Sequence, residues 1–419
     1  MVPSIFKLDL FSTIMITAFL TITSACQDNS KTLQRPNKLA TLEPDWQICL
    51  PNKVSFPNDR GTDILSMKDG SILVSGIISS NDRFAVTSTI SSLSASGHIN
   101  WLTKLESGKK IEKIIATDDQ SIFAVGSSYR REKAGTHPIF YRLSKYGKIE
   151  IGKNITEQLS WHEIRDIAKD DDGHFLVTGI SKKDKGSNVF LAKIDVEGRV
   201  LWAKTYDRYE HVYNLKMLQS GSGETFLVYT VFRKVIKKPK LGVKKSYTSN
   251  YVVMKVDKSG DKIKTYRSEK TPGRGNNVHA FYSQTGGLIV TFSHYNTDSL
   301  VKTQMIDTLD DELNIEKQVA IKRDNKDDVV IRDIQETNGG GFYATGYIKP
   351  KGRSKRDLWL GLFSRDGIVL SETQLETPDN KDYATTLNLN VLENKVYITG
   401  RREKSASSGA CIWVLQTNL

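Results

Sequence analysis

A repeat with a spacing of 50 to 62 residues runs through most of this 419-residue chain and constrains its fold more than any other feature. Each copy has a first apolar strand, a turn rich in Asp, Gly and Asn, and a second strand that ends in V-x-G or a similar sequence. A variable loop, a third strand, a tight Gly turn and a fourth strand, which often carries Trp, complete the unit. The second strand recurs as Ile72–Gly76, Ile122–Gly126, Phe175–Gly179, Phe226–Thr230, Leu288–Phe292, Phe342–Gly346 and Val396–Gly400.

Four strands in each copy, at this spacing, are typical of propeller blades. Apolar and polar positions alternate within the strands, and no apolar stripe of helical period follows residue 25. The repeat therefore predicts an all-β, seven-bladed β-propeller of four-stranded blades over residues 43–419. The third-to-fourth turn of the fifth copy has Asp310-Asp311-Glu312 in place of a Gly turn, which predicts a longer turn there.

The seventh copy lacks a fourth strand, and an isolated segment near the start of the chain matches one. In Asp45-Trp46-Gln47-Ile48-Cys49-Leu50, Trp46 stands where the clearest copy has Trp202. We expect this N-terminal strand to complete the last blade, because closing the ring removes open sheet edges.

The same alignment predicts a disulfide between Cys49 and Cys411. In the clearest copy the Glu197-Gly198 turn places Phe190 opposite Thr205, and Cys411 and Cys49 align with these two residues. The cysteines should then lie opposite each other and oxidise in an exported protein, where the chain-entropy model gives roughly 4–5 kcal/mol for so long a loop. Two buried free thiols are the alternative.

Residues 1–25 read as a secretory signal, with Lys7 before an apolar run from Leu10 to Ile22. The next segment, Thr23-Ser24-Ala25-Cys26, resembles the bacterial lipobox, although Leu is usual at the position of Thr23. The resemblance implies a lipoprotein signal peptide and a lipid on Cys26, with palmitate among its acyl chains; ordinary cleavage is the alternative. Gln27, where inner-membrane lipoproteins carry Asp, favours the outer membrane. Residues 26–42 read as a flexible tether.

Polar residues recur at the start of the first strands, where a propeller lines its central channel. Equivalent positions would form a ring at one channel mouth and could bind a ligand there. The alternative is that they hydrogen-bond the neighbouring blade and hold the ring together. The residues are Asp63, Lys113, Asp166, Asn214, His279 and Asp333, with Arg165 and Arg332 directly before two of them.

Charge is concentrated in the fourth copy. The chain has 60 Lys and Arg against 48 Asp and Glu, a net charge of +12. Seven cations between the second and third strands predict a long exposed loop that could contact anionic lipid or an acidic partner, or simply be solvated. Interleaved aromatic residues are absent, so we expect no nucleic-acid partner. The residues are Arg233, Lys234, Lys237, Lys238, Lys240, Lys244 and Lys245.

No motif in the sequence predicts catalysis, a metal or a cofactor. G-x-S-x-G, H-E-x-x-H and P-loop patterns are absent, and the three cysteines have no zinc-ligand spacing. Asp170-Asp171-Asp172-Gly173 lacks the spacing and the distal Glu of a calcium loop. It reads as a hairpin turn.

The repeat in Asp172 to Gly179 and Lys193 to Trp202 resembles those of bacterial exported propeller-repeat lipoproteins, many of them uncharacterised. It is distantly similar to quinoprotein-type propellers, whose cofactor residues are not recognisable here. The resemblance implies a lipid-anchored envelope protein in the periplasm, acting as a non-catalytic scaffold for a protein or an envelope polymer. A propeller enzyme of glycan or lactone hydrolase or lyase type, with its site at the channel mouth, is the alternative. A purely structural adhesion protein is a third hypothesis.

Overall fold

The computed structural model describes most of the chain from Ala40 onward. The described residues are 40–41, 43–50, 59–79, 86–130, 135–155, 159, 162–183, 186–237, 244–272, 277–295, 302–321, 328–349, 356–375, 387–392, 395–405 and 409–418. All regular structure in these ranges is β-strand. No helix in them has the length and apolar character needed to cross a membrane. The predicted signal peptide, the lipidation at Cys26 and residues 27–39 of the tether fall outside the described residues.

Thirty strands occur in this part of the chain. The first fifteen are β1 Ala40–Thr41, β2 Trp46–Cys49, β3 Arg60–Ser66, β4 Ile72–Ser79, β5 Val86–Leu93, β6 Ile99–Lys104, β7 Lys109–Ala116, β8 Ile122–Arg130, β9 Gly135–Leu143, β10 Ile149–Asn154, β11 His162–Lys169, β12 Phe175–Lys183, β13 Gly186–Ile194, β14 Val200–Tyr209 and β15 His211–Gln219. The others are β16 Thr225–Lys237, β17 Lys244–Val256, β18 Lys262–Arg267, β19 Thr271–Pro272, β20 His279–Tyr282, β21 Leu288–Tyr295, β22 Lys302–Leu309, β23 Ile315–Ala320, β24 Asp328–Glu336, β25 Phe342–Lys349, β26 Asp357–Phe363, β27 Val369–Leu375, β28 Leu387–Leu392, β29 Lys395–Ser405 and β30 Gly409–Asn418.

These strands form six hydrogen-bonded sheets, nearly all antiparallel. Four sheets contain the four-stranded meanders β11–β14, β15–β18, β20–β23 and β24–β27, and a fifth contains β28–β30 with β2. The sixth has eight strands, β3–β10, and a single parallel residue pair, Thr87 with Lys109, joins its β5 to its β7. All seven predicted second strands are present, as β4, β8, β12, β16, β21, β25 and β29.

Burial follows the position of each strand in its sheet. Phe175–Gly179 in the second strand β12 is buried throughout, whereas the fourth strand β14 alternates between exposed and partly buried side chains. The apolar clusters lie between successive sheets, for example where Leu176 and Leu191 meet Tyr229 and Met254. The second strands are therefore nearly all apolar because they are packed on both faces.

The turn between β22 and β23 corrects one prediction. Leu313 N–H donates to Asp310 O (3.0 Å), the same pattern that Gly198 forms with Asp195 in the clearest copy. Leu313 has φ +57°, so it takes the left-handed position that Gly198 holds at +71°. The turn is no longer than the others, because a buried Leu substitutes for Gly at some backbone cost.

The N-terminal strand pairs with the last strand, as the sequence predicts. β2 runs antiparallel to β30, with Trp46 opposite Gln416. The Cys49–Cys411 disulfide is present, with a Cα–Cα distance of 5.6 Å. The predicted register was wrong by two residues, because Cys49 lies opposite Trp413. The disulfide therefore joins diagonal neighbours on one face of the sheet.

The end of the predicted tether also differs from expectation. Ala40 and Thr41 form β1, which pairs in parallel with Thr373 and Gln374 of β27. Ordered structure thus begins before residue 43, because the edge of the β24–β27 sheet offers free backbone groups to an extended segment.

Candidate functional site

A central cavity of about 630 Å³ is lined mainly by the first strands of the sheets, β3, β7, β11, β15, β20, β24 and β28. The eight residues predicted for the channel mouth all lie on its wall. These are Asp63, Lys113, Asp166, Asn214, His279, Asp333, Arg165 and Arg332.

A break in strand pairing shapes the wall. In β11 the register shifts between Ile164 and Asp166, which leaves Arg165 without a partner in the ladder. β3, β7 and β24 have the same β-bulge at Thr62, Glu112 and Arg332. All four bulged residues line the cavity. A bulge changes the direction of a side chain relative to the regular alternation along the strand.

Three aspartates that follow the bulges hold neighbouring first strands together. One carboxylate oxygen of each accepts a hydrogen bond from a backbone N–H of the next sheet or meander. The pairs are Asp63 with Ile114 (2.9 Å), Asp166 with Met217 (2.9 Å) and Asp333 with Leu389 (3.0 Å). The alternative role predicted for these residues, a hydrogen bond that holds neighbouring blades together, is therefore observed at three positions. The same side chains also line the cavity.

Two of these aspartates also accept a hydrogen bond from a lysine. Lys113 Nζ lies 2.9 Å from Asp63 Oδ1, and Lys216 Nζ lies 2.5 Å from Asp333 Oδ1. Burial disfavours the charged form of Lys113, but Asp63 and other carboxylates outweigh it and raise the lysine pKa. Burial also opposes ionisation of Asp333, yet Lys216 holds its pKa below the ordinary value. Lys113 and Asp333 are therefore both charged at neutral pH.

Asp166 differs because its oxygens accept hydrogen bonds from the backbone N–H groups of Met217 and Ile167. Burial raises the pKa of this carboxyl, and Lys113 opposes the rise only in part. Asp166 is thus more easily protonated than Asp333.

A second ionic group lies on β7 and β11. Arg165 bonds Glu112 at 2.8 Å and Glu163 at 2.5 Å, and Lys110 also pairs with Glu112. Arg165 is thereby fixed across the boundary between two sheets, with Lys110 beside it.

His279 and Arg332 retain unused hydrogen-bonding capacity. Both ring nitrogens of His279 and the Nε of Arg332 are buried without a hydrogen-bond partner among the described residues. Burial, assisted by Lys216, lowers the pKa of His279 to about 3, so the imidazole is neutral at pH 7. It offers one N–H donor and one acceptor nitrogen beside the cavity.

Cations exceed carboxylates on the cavity wall by six to four. An anionic ligand is favoured by this balance, while the carboxylates could accept hydrogen bonds from ligand hydroxyls. The cations are Arg60, Lys110, Lys113, Arg165, Lys216 and Arg332, and the carboxylates are Asp63, Glu112, Asp166 and Asp333.

The repeat position in β15 falls on a residue that the sequence reasoning did not name. Asn214 lines the cavity as predicted, but Lys216 stands where Lys113 stands in β7. In both strands the N–H of the following residue donates to an aspartate of the preceding first strand. In β15 the register break skips two residues, Asn214 and Leu215, and Asn214 has φ +50°. The extra residue moves the repeat position along the strand. The sequence reasoning also missed Glu112, which directly precedes Lys113 just as Arg165 precedes Asp166.

The predicted basic loop is largely a paired hairpin, so this prediction is corrected. β16 and β17 remain in register as far as Lys237 opposite Lys244. Arg233, Lys234 and Lys237 therefore belong to β16, and Lys244 and Lys245 to β17. Lys238 and Lys240 fall outside the described residues. Contact with anionic lipid stays a prediction.

No group of three or more His, Cys, Asp or Glu side chains in the described ranges is arranged to hold a metal ion. The cavity wall instead combines ion pairs with an uncharged imidazole. These groups can form hydrogen bonds with a ligand and recognise its charge.

This chain is similar to known proteins in structure. No family model matches the sequence, and no curated protein matches it. The polysaccharide lyase Uly1 is 9% identical, with a TM-score of 0.58 over 90% of this chain and 100% of that one. A mutant puromycin hydrolase complexed with PGG is 10% identical, with a TM-score of 0.52 over 89% of this chain and 56% of that one. The β-propeller domain of the Trilobed protease from Pyrococcus furiosus is 10% identical, with a TM-score of 0.49 over 87% and 95%.

Repeated four-stranded antiparallel meanders, whose first strands line a shared cavity, define the class of this protein. It is a β-propeller with repeated blade sheets. At these sequence identities, the similarity to the known structures concerns the fold alone.

Proposed function

We propose that this chain is a closed, seven-bladed β-propeller whose central cavity binds an anionic ligand. The eight-stranded sheet counts as two blades in this proposal, because its two described meanders share a single ladder pair, between β5 and β7. Its two meanders, β3–β6 and β7–β10, then resemble each of the other four-stranded units.

Contacts of Trp46 support closure of the ring. Its Nε1 donates to Ala95 O of the first meander at 3.0 Å, and its ring packs against Gly97. Trp101 makes the equivalent contacts with Lys145 O (3.0 Å) and Gly147 in the next meander. The strand added to the last blade thus joins the first blade by the same contact that joins the first to the second.

The apolar core supports closure as well. Ile64 and Val74 of the first meander share one buried cluster with Tyr397 and Ile412 of the last sheet. Ser66 N–H also donates to Asn390 Oδ1 at 3.0 Å across this boundary. A ring held in this way has no open edge at its seam.

The proposed location is the bacterial cell envelope, with a lipid on Cys26 anchoring the protein to the outer membrane. The Cys49–Cys411 disulfide fits export to an oxidising compartment. Mass spectrometry of the membrane fraction should detect an acylated Cys26, and a Cys26→Ser variant should be recovered in the soluble fraction.

The proposed role is that of a non-catalytic binding module for an envelope polymer or protein with acidic groups. The observation that carries it is the excess of cations around His279 and Arg332, whose buried nitrogens have unused hydrogen-bonding capacity. Anionic groups would neutralise this excess and supply acceptors for those donors.

Isothermal titration calorimetry with oligogalacturonate and polyglutamate tests this role. The wild-type protein should bind at least one of these polyanions, with affinity that falls as salt rises. Arg332→Gln should weaken binding about tenfold, whereas Lys258→Gln, a change at an exposed turn, should not alter it. Absence of binding, or equal losses in both variants, would contradict the proposal.

An enzyme acting on glycans or lactones is the second candidate. The observation in its favour is the neutral His279 beside the Lys216–Asp333 pair, because its imidazole could hydrogen-bond a bound substrate and orient it. Release of reducing ends or unsaturated products from a bound saccharide, lost in His279→Gln, would favour this candidate over the binding module.

A further inference from the structure

An aromatic group stands at the cavity wall, apart from the ionic residues. Tyr213 stacks on Phe232, with ring centroids 4.7 Å apart and an interplanar angle of 14°. The ring of His211 lies 4.6 Å from Phe232, and Tyr247 meets the same phenylalanine edge-on at 5.9 Å. Three side chains on three strands thus hold the Tyr213 ring: Phe232 and His211 contact it directly, and Tyr247 supports Phe232.

The Tyr213 side chain is open to solvent although it belongs to a first strand. Tyr213 is 47% exposed and lines the cavity together with His211. It directly precedes the long register break in β15, where Asn214 adopts φ +50°. Backbone strain and solvent exposure of a large apolar ring both cost free energy, and such costs are concentrated at functional sites.

The neighbouring hairpin extends this surface. β15 begins at His211, opposite Phe232, while β16 continues for five more residues to Lys237. At a rise of about 3.3 Å per residue the hairpin projects roughly 16 Å beyond the start of β15. A ligand lying on Tyr213 would therefore have the hairpin on one side and the cationic cavity on the other.

We propose that Tyr213 is a stacking platform for a sugar ring, and that the ligand of the cavity is an acidic oligosaccharide. This inference rests on the proposed anion-binding role of the cavity and names its ligand class. A pyranose ring has an apolar face of C–H groups, which packs on an aromatic ring because both surfaces then leave water. Arg332, whose buried Nε has no hydrogen-bond partner among the described residues, is a cavity cation that could bind its acidic groups.

The carboxylates of the wall favour a saccharide over a polyphosphate chain. Glu112 and Asp333 would repel closely spaced phosphates, but each could accept hydrogen bonds from sugar hydroxyls. Single-stranded nucleic acid would instead be expected on successive aromatic platforms along a basic groove. Here one open ring adjoins a wall of mixed charge.

Four probes test the inference by calorimetry on the wild-type protein: oligogalacturonate, neutral maltohexaose, polyglutamate and an oligo-dT strand. Oligogalacturonate should bind at least tenfold more tightly than the other three. Tyr213→Ala should weaken its binding about tenfold, and Tyr213→Phe should retain the affinity. Tyr146→Ala removes another exposed tyrosine, at a turn of the second meander, and should change nothing.

Other outcomes separate this inference from the function on which it rests. Polyglutamate binding that equals oligogalacturonate binding, with no effect of Tyr213→Ala on either, overturns the saccharide platform and leaves anion binding intact. Preferential oligo-dT binding that depends on Tyr213 overturns it in favour of nucleic acid. Binding of no acidic probe defeats the proposed function itself. Unchanged thermal unfolding of the Tyr213 variants ensures that a loss of affinity reports on contact with the ligand.

Discussion

His279 illustrates how burial sets protonation states on the cavity wall. Its pKa is lowered to about 3 by burial and by Lys216, whereas burial raises the pKa of Asp166. Both groups are thereby biased toward their uncharged forms, while Lys216 holds Asp333 in its charged form. The wall therefore combines fixed charges with neutral hydrogen-bonding groups.

The low pKa of His279 predicts a specific pH dependence of stability. Between about pH 6.5 and pH 3 the unfolded chain binds a proton at this residue and the folded chain does not. The free energy of unfolding should therefore fall with decreasing pH in this window, by up to about 1.4 kcal/mol per pH unit from this group. Denaturant unfolding at pH 7 and pH 4.5 measures the effect.

His279→Gln is the matched variant, because glutamine retains polar atoms but does not titrate. Its loss of stability between pH 7 and pH 4.5 should be smaller than that of the wild-type protein. Equal losses in the two proteins would show that His279 is protonated in the folded state at the lower pH.

At the scale of elements, bonds between first strands connect one sheet to the next. Asp166 on β11 accepts from Met217 N–H on β15, and Asp63 and Asp333 repeat this bond at other boundaries. A buried donor that loses its acceptor bears the full cost of desolvation. These aspartates therefore stabilise the packing of neighbouring sheets, independently of any ligand.

Two substitutions at Asp166 separate its hydrogen bond from its charge. Asp166→Ala should lower the free energy of unfolding by about 1–3 kcal/mol, because the N–H of Met217 is left without its acceptor. Asp166→Asn retains an oxygen acceptor and removes a carboxylate whose charged form burial disfavours, so it should cost much less. Urea unfolding curves compare the variants, and similar losses in both would mean that the charge itself stabilises the fold.

The sequence predicted strand identity well, because the second strands are apolar wherever they are packed on both faces. It also predicted which first-strand residues share the cavity wall, since a repeat position maps to one height in every blade. It could not predict the longer bulge in β15, which places Lys216 rather than Asn214 at the ladder position that Lys113 holds in β7. A bulge depends on backbone geometry and leaves no change in the apolar pattern.

At the scale of the whole molecule, the disulfide joins positions 362 residues apart in the sequence. Its pairing was predictable because Trp46 identifies the N-terminal segment as a fourth strand. The diagonal geometry of the disulfide could not be predicted. The register was taken from a two-residue turn in another copy, and no such turn joins β2 to β30, which come from opposite ends of the chain.

Removing the disulfide should destabilise the protein by up to about 5 kcal/mol, because the unfolded chain then gains the entropy of an open loop. A Cys49→Ser and Cys411→Ser double variant should show a lower unfolding temperature by calorimetry. Reductant should lower the unfolding temperature of the wild-type protein and leave the double variant unchanged. A wild-type protein indifferent to reductant would contradict a stabilising role for the bond.

The disulfide also determines how this molecule responds to mechanical force. A pull between Ala40 and Asn418 passes from Cys49 directly to Cys411 and so bypasses the blades that lie between the two cysteines. With 362 residues of separation, roughly 1,200 Å of extended chain is shielded from stretching. A propeller tethered at its N-terminal end would thus keep its ligand cavity folded under tension that strips the segment before residue 49.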